Sequence, residues 1–248
     1  MMGRLDELIA NKCSGKVEYV PVWTVTAWDK KFNSVSKEKQ KKIIKYNYFL
    51  AADLKELEAE GGTVKILTTS ETDLWADYDA VKDVCSEGEI VCIPWGGNPI
   101  VQYYKGFFVT GDNRIATSLD TNILNNRFLY YCMENKIDEI ASFYRGSGIK
   151  HPDMSKVLDL EIPLPPIDVQ SEIVRILDNF TELTAELTFR KKQLDYYREN
   201  LIVNSEGEIK KLGEVVDIYL GLTATPKYID SGVKFISAQN TSSITNIK

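Results

Sequence analysis

Residues 162–203, IPLPPIDVQSEIVRILDNFTELTAELTFRKKQLDYYRENLIV, restrict what this chain can fold into more than any other stretch. Pro163, Pro165 and Pro166 hold the backbone extended and exclude helix there. Asp168 offers a side-chain oxygen that can cap a helix, and neither Pro nor Gly then interrupts the chain until Gly207. That run is long enough for about ten helical turns. Within it Ile173, Ile176, Phe180, Leu183, Leu187, Leu194, Tyr197 and Leu201 alternate three and four residues apart, with Arg190 out of class. A period of 3.5 held for about four heptads is the a/d seam of a coiled coil. Glu172, Arg175, Asp178, Glu182, Glu186, Lys191, Lys192, Arg198 and Glu199 form the solvated outer surface. Globular helices average about three turns, so a stripe along roughly 50 Å of helix calls for a partner helix, in this chain or in a second copy.

Ahead of that helix the pattern is mixed. RLDELIA (4–10) reads as a short helix and Val17 to Thr26 as an extended segment containing Pro21. Residues 35–60 read as helical, closed by Gly61-Gly62. VKILTTS and GEIVCIPW (88–95) read as strands, and PIVQYYKGFFVTGDNRIAT as two more meeting near Lys105-Gly106. Residues 122–141 have helical spacing, SFYRGSGIKHPD is a loop, and VLDLEIPLPP is a last strand. The expected fold class is α+β: one globular domain of about 165 residues with a mixed or antiparallel sheet, followed by the coiled-coil-type helix.

The search for catalytic chemistry finds little. His151 is the single histidine, which leaves almost no material for a triad or a metal cluster. GSGIK (146–150) lacks the spacing of a phosphate-binding loop. Cys13, Cys85, Cys92 and Cys132 show no CxxC spacing and read as buried thiols. Neither cofactor nor metal is expected. No apolar run approaches the ~20 residues that span a bilayer, and the opening lacks the apolar core of a secretion signal. A cytoplasmic protein is expected.

A family resemblance rests on the central stretch. IPLPP, Gln170, the I-V-x-I-L-D of Ile173 to Asp178 and the YYR-x-x-L of Tyr196 to Leu201 resemble the central conserved region of type I restriction–modification specificity subunits. Gly96-Gly97, Tyr103 to Phe108, Phe128 to Tyr131, Gly146 to Ile149 and Asp159 to Pro166 follow the same family order, and KLGEVVDIYLG resembles the opening of a second target-recognition domain. The resemblance implies a half-size or truncated subunit. Residues 1–166 would be a DNA target-recognition domain, 167–205 a spacer helix for dimerisation and 206–248 an incomplete second domain. It also implies double-stranded DNA as ligand, methyltransferase subunits as partners and, through them, restriction subunits, with no catalysis of its own.

Base edges are read by Arg, Lys, Asn, Gln, Ser and Thr, with Lys, Arg and backbone amides on phosphates. The loops supply Lys30, Lys31 and Asn33; Thr68, Thr69 and Ser70; Trp95, Gly96, Gly97 and Asn98; Asn113 and Arg114; and Arg145, Ser147 and Lys150. His151 reads as a turn residue. Against this stands the charge: 30 Lys and Arg against 36 Asp and Glu give −6, whereas phosphate contacts favour a basic excess. A non-catalytic coiled-coil adaptor whose head binds protein is therefore the competing reading. Light scattering tests the helix: the chain is expected to be a dimer in solution and Leu187→Asp a monomer.

Overall fold

Proline decides where the chain stops pairing. In the computed structural model, which describes residues 4–13, 16–203 and 210–217, helix α1 (Arg4–Lys12) leads to strand β1 (Tyr19–Pro21). Pro21 has no N–H to continue a ladder, and at φ −61° it opens a single helical turn, α2 (Val22–Val25), before β2 (Thr26–Trp28). The stretch expected to be extended from Val17 to Thr26 is thus broken, because the chain crosses there from one sheet to another.

Residues 35–60 are mostly not the expected helix. Only a 3₁₀ turn at Lys37–Lys39 and α3 (Ala51–Glu56) form. Between them the backbone finds partners on the sheet: the Ile44 N–H donates to the Trp28 carbonyl and the Phe49 N–H to the Thr110 carbonyl, both at 3.0 Å. Helix propensity differs by less than ~1 kcal/mol per residue, too little to compete with pairing and burial.

Next come β3 (Val64–Leu67), β4 (Trp75–Ala76), the turn α4 (Tyr78–Val81), β5 (Ser86–Pro94), β6 (Gln102–Thr110) and β7 (Asn113–Ser118). Together with β2 they form a six-stranded mixed sheet ordered β2-β7-β5-β6-β3-β4, in which β3 and β6 run parallel. The strands expected to meet near Lys105-Gly106 do not. Strand β6 runs through Gly106, whose φ of +136° is open to glycine and which sits opposite Gly88; the chain turns at Gly111-Asp112. Strands β6 and β7 then flank β5 from either side. Strand β5 is buried on both faces: Ile90 and Cys92 pack with Phe108 and Ile115, Val91 and Ile93 with Ala116, Phe128 and Leu129. Two-sided burial explains why IVCIP (90–94) within GEIVCIPW is continuously apolar.

The helix expected over 122–141 is two. Asn125 caps α5 (Asn126–Asn135) by accepting the N–H groups of Arg127 and Phe128; Lys136 ends it, and α6 (Ile137–Ser142) follows. The next loop closes a small hairpin of β8 (Tyr144–Arg145) and β9 (His151–Pro152). Asp153 caps α7 (Met154–Leu158), so the last strand, β10 (Glu161–Pro163), is shorter than expected; it pairs with β1. All four cysteines are free thiols.

The long helix α8 (Ile167–Arg198) has 32 residues. Asp168 lies inside its first turn, ion-paired with Lys12, and does not act as the cap expected of it. Gln170 is fully buried: its oxygen accepts the Asn125 N–H at 2.9 Å and its amide donates to the Ile123 and Pro165 carbonyls at 2.8 Å each. Ile173 packs against the main core, and the Asp178 carboxylate accepts from Arg127 Nε at 2.9 Å and the Tyr131 hydroxyl at 2.5 Å. Beyond that clamp the seam is open. Phe180, Leu183, Leu187, Leu194, Tyr197 and Leu201 are each at least half exposed.

The chain divides into two units, Met1–Arg190 and Lys191–Lys248. The described part of the second holds the last turns of α8, a π-helical turn at Glu199–Val203 and α9 (Leu212–Val215). Most of the stretch expected to begin a second recognition domain lies outside the described residues. The fold is α+β, with a mixed sheet and a long helix after it. Replacing the buried amide of Gln170 strands one N–H and two carbonyls, each costing ~1–3 kcal/mol. Gln170→Ala is expected to lower stability by about 3 kcal/mol in urea unfolding.

Candidate functional site

Four of the loops singled out in the sequence meet at one cleft. Lys30 follows β2; Thr68, Thr69 and Ser70 follow β3; Gly96 and Gly97 follow β5; Ile149 and His151 come from the β8–β9 hairpin. They line, with Tyr48, Phe49, the start of α3 and Asp112, a cleft of about 1010 Å³. Hydrogen bonds tie the loops to one another. The Gly97 N–H donates to the Lys150 carbonyl at 3.1 Å, His151 Nδ1 lies 2.7 Å from the Trp95 carbonyl, and the Tyr144 hydroxyl donates to the Pro94 carbonyl at 2.7 Å. Gly96 makes this closeness possible, since a Cβ there would sit 2.8 Å from Ile149 Cγ2 and 3.3 Å from His151 Cε1. Gly97, at φ +99°, turns the chain in a conformation that glycine adopts readily.

A charged network lies beneath the cleft. The buried Asp29 carboxylate accepts hydrogen bonds from the Tyr48 hydroxyl and, at 2.9 Å, from the Ile115 N–H. Lys30 Nζ sits 3.9 Å above the Tyr48 ring. The Arg114 guanidinium lies 4.1 Å from the Trp95 ring and donates to Asp112 at 3.2 Å and to the Asn113 carbonyl at 2.8 Å. Burial pushes the Asp29 carboxyl above its ordinary value, while the bonds from Tyr48 and Ile115 and the charges of Arg114 and Lys30 pull the other way. Burial first and Arg114 second lower the Lys30 ammonium. Burial and the neighbouring Asp29 raise the Tyr48 hydroxyl.

Not every residue singled out reaches the cleft. Lys31, Asn33 and Asn98 are exposed but do not line it, and Arg145, Ser147 and Lys150 are exposed on the hairpin loop. Asn113 is fully buried, and its amide donates to the Leu67 and Thr68 carbonyls and the Thr110 hydroxyl. It holds the Thr68 loop from behind and presents nothing to solvent. Arg114 is buried and braces Trp95, which is itself half-buried. The sequence gives no signal for Asp29, Tyr48 and Asp112, and it marks His151 only as a turn residue. Asp29 and Tyr48 are 19 positions apart, a separation with no local periodicity to mark it.

Among the described residues no group of three His, Cys, Asp or Glu side chains could hold a metal ion, and no helix is long and apolar enough to cross a membrane. What the cleft offers is hydroxyls, open glycine backbone, two ammonium groups, two carboxylates and one imidazole. That donor and acceptor set suits binding and orientation.

Comparison with known proteins points the same way. The type I restriction modification DNA specificity domain matches residues 50–194. The specificity subunit of the type I restriction enzyme EcoR124I/EcoR124II of Escherichia coli is 38% identical over 130 residues, 47% of this chain and 31% of that protein. That of the Methanocaldococcus jannaschii enzyme MjaVIII is 22% identical over 180 residues, 63% of this chain and 42% of that protein. The matched parts thus span less than half of these relatives. The crystal structure of the type I restriction-modification system S subunit from M. genitalium shares the fold, with a TM-score of 0.52 over 77% of this chain and 47% of that one, at 20% identity.

The raised Asp29 carboxyl has a consequence for stability. The folded state holds this proton more tightly than the unfolded chain, so its contribution is full below about pH 4 and is lost as pH rises through the folded value. Asp29→Asn removes the titration. Urea midpoints measured from pH 4 to 7 are expected to fall for the wild type relative to Asp29→Asn.

Proposed function

Because the chain belongs to the type I restriction modification DNA specificity family, we propose that it reads one half of a bipartite DNA site and has no catalytic role of its own. The observation that carries this reading is the convergence of Lys30, Thr68–Ser70, Gly96-Gly97 and the Ile149–His151 loop on one cleft. Groups of that kind from separate loops are what base-edge and phosphate contacts require. Lys31, Asn33, Asn98, Arg145, Ser147 and Lys150 are exposed on the same loops or just beyond them and extend the surface toward the sugar-phosphate backbone. Asn113, Arg114 and Trp95 support it from below.

Residues 1–166 are then the recognition domain, 167–205 the spacer and 206–248 the beginning of a second recognition domain. The exposed seam from Phe180 in α8 to Leu201 in the π-helical turn after it pairs with a second copy or a second conserved helix, and Ile173 and Ile176, half-buried, continue that seam at its foot. Two copies related by a two-fold axis would read a palindromic bipartite target, and the length of the helix would set the number of unread base pairs between the halves. Methyltransferase subunits, and restriction subunits through them, are the partners.

With a net charge of −6, the chain by itself lacks the basic excess that binds phosphate. That charge favours a second reading, a protein-binding adaptor, and gives the test its design. In a gel-shift assay at ~50 mM salt, a mixed-sequence duplex is retarded by the chain together with its methyltransferase subunit and hardly by the chain alone. Lys31→Ala lowers the slope of log affinity against log salt by about 1. An adaptor leaves affinity and slope at the values of the methyltransferase alone.

A further inference from the structure

The β8–β9 hairpin presents one group whose chemistry its surroundings decide. His151 Nδ1 lies 2.7 Å from the Trp95 carbonyl oxygen. A carbonyl can only accept, so Nδ1 carries the proton, and Nε2 of the neutral ring keeps a bare lone pair. No described residue donates to Nε2, although His151 is exposed and lines the cleft. The ring is held in place. It lies 5.1 Å from the Trp95 ring at 37°, Arg114 braces Trp95, and Gly96 offers no Cβ to push it away. Among the hydroxyls of the cleft, that of Thr68 is already engaged: its Oγ1 donates to the Ser70 carbonyl and accepts the Ser70 N–H. Asp112 accepts from Arg114. In its neutral form the ring therefore offers the cleft a fixed acceptor with a free lone pair.

In the major groove the complementary donors are the exocyclic amino groups, N6 of adenine and N4 of cytosine; guanine and thymine present only oxygen or nitrogen acceptors there. We propose that His151 is a specificity-determining residue that accepts a hydrogen bond from an amino base at one position of the site and rejects guanine and thymine there. The inference rests on the DNA-reading function proposed above.

Selection from a randomised duplex library, with the full chain bound to its methyltransferase subunit, tests it. The wild type is expected to enrich a motif in which one position accepts only adenine or cytosine. His151→Phe keeps a ring against Trp95 and removes the Nε2 acceptor. It should relax that position about ten-fold and leave the others unchanged. His151→Lys replaces the acceptor by donors and should turn the preference toward guanine or thymine. If His151 merely ties the loop to the Trp95 carbonyl, the Phe variant binds more weakly but selects the wild-type motif, and the inference is overturned while DNA reading stands. A wild-type motif with guanine or thymine at the affected position overturns it as well. A wild type that enriches no motif removes both the inference and the DNA-reading function beneath it.

Discussion

The buried amide of Gln170 is the joint between the recognition head and the long helix. It satisfies three backbone groups, from the loop before α5 and from the proline run. Buried peptide groups without partners are expensive, so the prolines, the start of α5 and the foot of α8 hold a single arrangement. The Arg127–Asp178–Tyr131 clamp adds a second fixed point two turns further along. These two contacts set the direction in which the first three turns of α8 leave the head. Beyond the clamp Phe180, Leu183 and Leu187 stand exposed along the helix.

The cleft depends on the sheet in a comparable way. Strand β5 is buried on both faces and paired on both edges, so the chain leaving it at Trp95 starts from a fixed place. Asn113 and Arg114, at the start of the neighbouring strand, then divide the labour. The first grips the end of β3 and the second braces the indole. Both were expected to face DNA because their residue types are those of base readers. Burial assigns them the task of positioning the readers. The acidic balance of the chain is seen in the cleft too, where Asp53 and Asp112 stand beside Lys30 and Lys55 and offset the positive charge that phosphate contacts favour.

Much of this protein is legible in one dimension. The period of 3.5 and the absence of Pro and Gly after Pro166 determine a long helix with an apolar seam, because both are local properties of the backbone and of side-chain spacing. The continuous apolar run in β5 announces a central strand, and the motifs around IPLPP and YYR identify the family. The loops that form the cleft could be named from their glycines and polar residues. Only the fold decided which of those residues stand in the open. Residues 43–49 are extended because Trp28 and Thr110 offer them hydrogen bonds, a choice made by partners distant in sequence. Asp29, Tyr48 and Arg114 form one network across three separate segments, and His151 acquires its acceptor from a carbonyl 56 positions away. Such pairings carry no periodicity. They exist once strands are in register and burial has removed water as the alternative partner, and for that reason the tertiary structure alone could assign them.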